Sequence, residues 1–194
     1  MSPEVVLGEV TRALAGRGRR FALVGGLAVS LRAEVRFTRD VDLAIVACND
    51  QDLERLVLDL RRDGLTQVAV VEDDRHGRIA MRRLRSASGV VVDLLVASSG
   101  IEAEIVAAAS PERLGAGDVP VAQAGDLLAM KVLSMREARL QDRIDAHSLL
   151  AVASIDLAHV RDRLRLITER GFHRDQDLLA KLDALLAAAA RDRA

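Results

Sequence analysis

Two aspartates stand inside an apolar run of this chain. In RFTRDVDLAIV (36–46), Asp40 and Asp42 lead directly into Leu43, Ala44, Ile45 and Val46, a pattern that reads as a buried β-strand. Asp is among the residues a strand tolerates least. Any fold for this chain must therefore give two carboxylates, two residues apart, a reason to be there. Side chains at i and i+2 of a strand leave the same face, ~6.6–6.8 Å apart along it. Asp40 and Asp42 share that face, while Val41, Leu43 and Ile45 are free to pack on the other. Neighbouring carboxylates repel, and a divalent cation between them is the most direct remedy. Oxygen-only donors suit Mg²⁺ or Mn²⁺ over zinc. The competing reading is a solvent-facing strand end covered by arginines.

Asp93 repeats the signal. VVVDLLV (90–96) surrounds it with apolar residues, and a buried carboxylate without a partner is expensive. A sheet that brings Asp93 beside the pair completes a three-carboxylate site. The alternative is an ion pair with Arg82, Arg83 or Arg85 across a hairpin. Gly25-Gly26 lies where a strand gives way to a helix, a geometry that offers free N–H groups and a positive dipole end to a phosphate. A Gly-Gly pair is often only a turn, but this one precedes Asp40 by fourteen residues.

Around these residues the pattern predicts a helix over 3–15, a strand over 20–24, a brief helix over 27–34 and the aspartate strand over 40–47. A helix capped by Asn49 or Asp50 follows, with Leu53, Leu56, Val57 and Leu60 at helical spacing. Strands are expected over 66–72, 78–85 and 90–96, the last two joined as a hairpin through Ser86–Gly89. A helix over 101–109 leads into a loop ending near Pro120. From Ala124 onward everything reads as helix, over 124–137, 141–153, 157–169 and 175–190. The shift marks a boundary between a core of residues 1–122 and a helical bundle of 123–194 packed on it. The class is α+β, a mixed sheet flanked by helices.

Composition removes several functions. Half the chain is hydrophobic, but Phe21, Phe37 and Phe172 are its only aromatic residues of the Phe, Tyr and Trp types, which excludes stacking platforms for single-stranded nucleic acid. Cys48 stands alone, which rules out an internal disulfide framework and reads as a buried, inert thiol in a reducing cytosol. No signal peptide shows, and no apolar run reaches the ~18 residues of a membrane span. The expectation is a soluble, cytoplasmic protein with no membrane partner. His76, His147, His159 and His173 show no metal-ligand spacing and read as structural or surface residues. His173-Arg174-Asp175 spells a kinase catalytic-loop tripeptide, but Ala180 stands where that motif needs Asn.

The net charge of −1 hides an imbalance: residues 11–39 hold seven arginines against Glu34 alone, a possible path for a phosphate-rich ligand. Arg is also this chain's default cation. Only Lys131 and Lys181 are lysine among 28 basic residues. On a helix Lys131 has Leu127, Leu128 and Met135 as neighbours, so its ammonium needs an anion there. Lysine supplies a compact point charge, as phosphate-binding lysines do; a snorkelling side chain is the alternative. Asp142 is eleven residues on, ~16 Å away along one straight helix. Either the helix breaks near 137–141, where no Gly or Pro marks a break, or the two residues serve different ends.

Gly25-Gly26, RFTRDVDL (36–43) and VDLL (92–95) together resemble the nucleotidyltransferase fold of the DNA polymerase beta superfamily. Within it, the R-x-T-x-D-x-D-L wording and AMKVLSMREARLQDRIDAHSLL (129–150) resemble the AbiEii-type toxins of abortive-infection and toxin–antitoxin systems. The resemblance covers roughly residues 20–150. It implies an enzyme transferring a nucleotide from an NTP with Mg²⁺ or Mn²⁺. Asp40 and Asp42 would bind the metal, and Asp93 would complete the site and help deprotonate the attacking group. Gly25, Gly26, Arg36, Thr38 and Lys131 would hold the nucleotide, and Asp142 or Asp145 would match a later acid of the family. The implied acceptor is RNA, in particular a tRNA 3′ end reached past the arginines of 11–39, and an antitoxin protein is the implied partner. Antibiotic adenylylation and protein modification use the same core. A non-catalytic binding module is the reading from another class, against which all the family acids that can be placed are present.

Overall fold

Asp40 and Asp42 open the central strand of a seven-stranded mixed sheet. The computed structural model describes residues 2–114, 117–136, 138–151 and 155–192. The strands are β1 (Phe21–Val24), β2 (Asp40–Ile45), β3 (Thr66–Asp73), β4 (Arg78–Arg85), β5 (Val91–Leu95), β6 (Ser110–Leu114) and β7 (Gly117–Val121), in the order β3-β4-β5-β2-β1-β7-β6. β2 runs antiparallel to β1 and parallel to β5. Central position explains the composition: all four residues of β1 are buried, as are Val41, Leu43, Ala44 and Ile45 of β2. Strands covered on both faces must be apolar on both.

Helices cover this sheet: α1 (Pro3–Gly16), α2 (Gly25–Arg32), α3 (Asp50–Arg62) and α4 (Glu102–Ala108). Pro3 opens α1, where its missing N–H has no intrahelical use. Asn49 caps α3 by accepting from the Asp52 N–H at 2.9 Å. Its apolar stripe, Leu53, Leu56, Val57 and Leu60, is buried. The second half of the chain is helical, with α5 (Ala124–Ser134), α6 (Leu140–Ala151), α7 (Leu157–Glu169) and α8 (Leu178–Asp192). α5 and α6 reach α2 and so the aspartate strand. The fully buried Asp126 ties α7 to α5, its Oδ1 lying 2.8 Å from both His159 Nε2 and Arg163 Nε. The expected helix ends at 137 and 152–153 fall outside the described residues.

Four sequence expectations are corrected. The loop foreseen before Pro120 is the β6–β7 hairpin, which joins the sheet where Leu23 pairs Val121 and the Ala122 N–H donates to the Leu23 carbonyl at 3.0 Å. Pro111 and Pro120 face each other at the sheet's margin, where missing N–H donors are tolerated. Cys48 is exposed rather than buried, because it lies past the end of β2. The basic segment 11–39 is tied up in part: four of its seven arginines face carboxylates of this chain. Arg17 pairs with Asp63, Arg19 with Asp52, Arg32 with Glu112 and Arg36 with Asp145. The aromatic exclusion holds less firmly than composition implied, since Phe37 is 80% exposed with Arg39 over its ring at 5.4 Å. No helix among the described residues is long and apolar enough to cross a membrane.

Candidate active site

The parallel register of β2 and β5 sets Asp42 directly opposite Asp93. Residues opposite each other in neighbouring strands share a face, with strands ~4.8 Å apart. Asp40, two residues before Asp42, is on that face too, and all three line one cleft of ≈ 1170 Å³. Burial pushes the Asp42 carboxyl up to about 6. The neighbouring charges of Asp93 and Asp40 add to the rise, and Lys131 and the Gly26 N–H pull against it. Asp93 is buried, and Arg83 of β4 holds it as a fork, Nε 2.8 Å from Oδ1 and Nη2 2.7 Å from Oδ2. Arg83 is also its cross-strand partner. The two readings of Asp93, third acid of the site and partner of a hairpin arginine, are therefore both true of this structure.

This donor set bears on the cation that the fold implies. Asp40 and Asp42 offer hard oxygens and no ion pair among the described residues, and Asp42 sits in an excess of negative charge that a divalent cation would relieve. Asp93 is different, because a cation reaching its oxygens competes with the Arg83 guanidinium. Among the described residues no three His, Cys, Asp or Glu side chains are grouped closely enough to hold a metal by themselves. The oxygens of Asp40 and Asp42 fit a divalent cation.

Gly25 and Gly26 open α2 against the same carboxylates. Gly25 has φ +64°, and a Cβ there would lie 1.9 Å from Asp42 Oδ2. A Cβ on Gly26 would meet Arg36 Nη2 at 2.6 Å and Thr38 Oγ1 at 2.8 Å. Both glycines are thus required by side chains of this chain, whatever else approaches them. Gly25→Ala is expected to push Asp42 out of place, lowering catalysis in the cleft by about 10²-fold. It should also lower stability by about 1–2 kcal/mol through the left-handed backbone. Steady-state rates and urea melts of the variant check both effects, and wild-type values would refute the contact.

Lys131 meets both of its candidate acids. The helix does break: α5 ends at Ser134, α6 begins at Leu140, and the two pack together. Lys131 Nζ lies 2.9 Å from Asp142 Oδ1 and 2.8 Å from Asp145 Oδ2. Asp145 is fully buried and also receives Arg36, whose Nη2 donates to Oδ2 at 2.9 Å, and Gln141, whose Nε2 donates to Oδ1 at 2.8 Å. Burial alone would raise the Asp145 carboxyl; hydrogen bonds from Lys131, Gln141 and Arg36 outweigh it and hold the group below the usual range. Two of the three Lys131 donors are committed, which leaves one for a phosphate. Lys181, the other lysine, donates to the Met135 carbonyl at 2.7 Å and to Gln176 Oε1 at 2.6 Å. Arg83 is the one of the three candidate arginines that pairs with Asp93, and Gln141 is the site-shaping residue that sequence reasoning did not name. Helical spacing from Asp145 to position 141 was the available signal for Gln141.

A family model described as "Nucleotidyl transferase AbiEii toxin, Type IV TA system" matches residues 10–194. The chain belongs to the AbiEii family. Its fold recurs in two solved structures of low identity. An antigenic nucleotidyltransferase-like protein from Paracoccidioides brasiliensis is 19% identical, with 94% of this chain and 93% of that one covered and a TM-score of 0.56. The lincosamide antibiotic adenylyltransferase LnuA, solved with lincomycin bound, is 13% identical over 76% of this chain and 96% of its own, with a TM-score of 0.52. No protein of curated function matches the chain at a significant level. This AbiEii nucleotidyltransferase thus gathers its acids, the glycine pair and the lysine round one cleft.

Proposed function

We propose that this AbiEii nucleotidyltransferase moves a nucleotide from an NTP to an RNA acceptor, in particular a tRNA 3′ end. Residues 1–122 form the catalytic core and 123–194 the helical part packed on it. The observation that carries the reading is the register of Asp42 beside Asp93, with Asp40 on the same face of the sheet, in a cleft shared with Gly25, Gly26 and Lys131. Asp40 and Asp42 would hold Mg²⁺ or Mn²⁺, which supplies Lewis-acid neutralisation of phosphate charge. The positive dipole end of α2 and the third donor of Lys131 would bind the triphosphate. Thr38 flanks it, and Arg36 holds Asp145 so that Lys131 stays aimed at the cleft. Asp93, oriented by Arg83, accepts the proton of the attacking hydroxyl. That oxygen displaces pyrophosphate in line, so positioning and electrostatics do most of the catalysis.

Family membership supports a toxin with an antitoxin protein as partner. The experiment is incubation with total RNA, Mg²⁺ and each α-labelled NTP in turn. Label is expected in RNA from at least one NTP. It should be lost in Asp40→Asn and kept in Asp162→Ala, an exposed carboxylate of α7 outside the cleft. Label that enters an added aminoglycoside or a protein band instead of RNA overturns the acceptor assignment.

A further inference from the structure

The cations of the cleft divide into two sets. Arg36, Arg75, Arg83 and Lys131 each face a carboxylate of this chain, and Arg139 lies 3.4 Å from Asp142. Arg136 and Arg174 line the same cleft and have no carboxylate within ion-pair distance among the described residues. Arg136 and Arg139 are in the link between α5 and α6, and Arg174 is in the link between α7 and α8. We propose that Arg136, Arg139 and Arg174 form a phosphodiester-binding site on the helical side of the cleft, where the backbone of the RNA acceptor is held. This rests on the acceptor reading above and adds the residues that recognise it.

Three observations support the site. Burial, Arg136 and Arg139 together pull Arg174 below its ordinary range, with Asp73 and Glu102 opposing more weakly. Lys181 is lowered in the same way by burial, Arg136 and Arg174, against Asp142. Like charges gathered this closely lack an anion, and guanidinium forks match phosphate oxygens. Second, Arg174 and Asp175 have φ of +55° and +58°, the left-handed region that side chains rarely occupy. The turn is held in that form by Arg174 Nη2 donating to the Ser98 carbonyl at 2.8 Å and by the Arg75–Asp175 pair. Third, a cleft of ≈ 1170 Å³ exceeds the ~300–1,000 Å³ of a single small-ligand site. It leaves room for a second reactant beside the nucleotide. A cationic or neutral small acceptor gains nothing from uncompensated guanidiniums, whereas a polyanion does. The triphosphate has its own anchors in Gly25, Gly26 and Lys131, so a phosphodiester of the acceptor is the anion left to place.

The test is binding of a short fluorescein-labelled single-stranded RNA to the full chain, by anisotropy over a salt series, beside binding of a fluorescent NTP. The Arg136→Gln/Arg174→Gln double variant is expected to bind RNA about tenfold or more weakly at ~0.1 M salt. Its log Kd against log salt should be less steep by about 0.7 for each phosphate that is no longer neutralised. NTP binding should be unchanged. Arg136→Gln alone, at an exposed position with no ion pair among the described residues, should show part of the effect, and Arg61→Gln, exposed on α3 and outside the cleft, none. Unchanged RNA affinity in both cleft variants overturns the site while leaving the enzyme reading intact. Weakened NTP binding overturns it too, because the cluster would then serve the triphosphate. A wild-type protein that binds no RNA overturns the acceptor reading, and the site falls with it.

Discussion

Asp42→Asn is expected to melt above the wild type at pH 8 and to transfer almost no nucleotide. The sign follows from the direction of the shift. The Asp42 carboxyl titrates near 6 in the folded protein against an ordinary 3.8. Well below pH 3.8 folded and unfolded chains both hold the proton, and the group is neutral toward stability. As pH rises from 4 to 6 the unfolded chain releases its proton first, so stability falls. Above 6 the penalty is complete. A rise from 3.8 to about 6 is on the order of 3 kcal/mol. Asparagine keeps the shape and removes the charge, so its gain at pH 8 is at most that size, a shift of up to roughly 6–12 °C for a chain of this length. The gap should shrink to a small remainder at pH 4. Transfer should fall by about 10³-fold or more, the cost of losing a ligand that neutralises phosphate charge. Thermal melts of metal-free protein at both pH values, with Mg²⁺-dependent label transfer, check the pair of results. A variant that melts with the wild type at pH 8 would refute the crowding of charge at Asp42. Stability surrendered at a site that function needs is the expected signature of an enzyme centre.

Asp145→Ala should act in the opposite direction. Removing this carboxylate leaves Lys131 with Asp142 alone and Arg36 with no acid. Breaking a buried pair from one side costs about 3–5 kcal/mol, a large share of the stability of a domain. Asp142→Ala should cost less, because Lys131 then keeps the fully buried Asp145. The pH dependence is also reversed. Asp145 is held below its ordinary range, so its contribution is full above pH 4 and is lost as pH falls through the lowered value. The gap between wild type and variant therefore narrows in acid. Urea midpoints at pH 7 and pH 3 measure it. Equal cost for Asp142→Ala and Asp145→Ala would mean that the two acids share Lys131 on equal terms, against the geometry.

The elements that carry the site were legible locally. Asp40 and Asp42 announce themselves because the two-residue period of a strand forces carboxylates and apolar residues onto opposite faces. Asp93 is visible because an apolar run surrounds a carboxylate that is costly to bury, and Lys131 stands out against a background of arginine. The β6–β7 hairpin was hidden because proline reads as a strand breaker, and only its place at the sheet margin makes Pro111 and Pro120 acceptable. The arginines of 11–39 looked like a basic path because a sequence shows charges without their partners. The acids that face four of the seven, from Asp52 to Asp145, are remote along the chain.

Chain order alone thus determined which residues must be in the centre: three aspartates in apolar strands, a glycine pair before them, and one lysine on a helix. Tertiary structure decided how they meet. It set Asp93 opposite Asp42, chose Arg83 from three neighbouring arginines, and broke the helix so that Lys131 reaches Asp142 and Asp145 together. Periodicity is a property of neighbouring residues and can be read one segment at a time. Register and ion pairing depend on where the backbone returns, and many distant segments contribute to that at once.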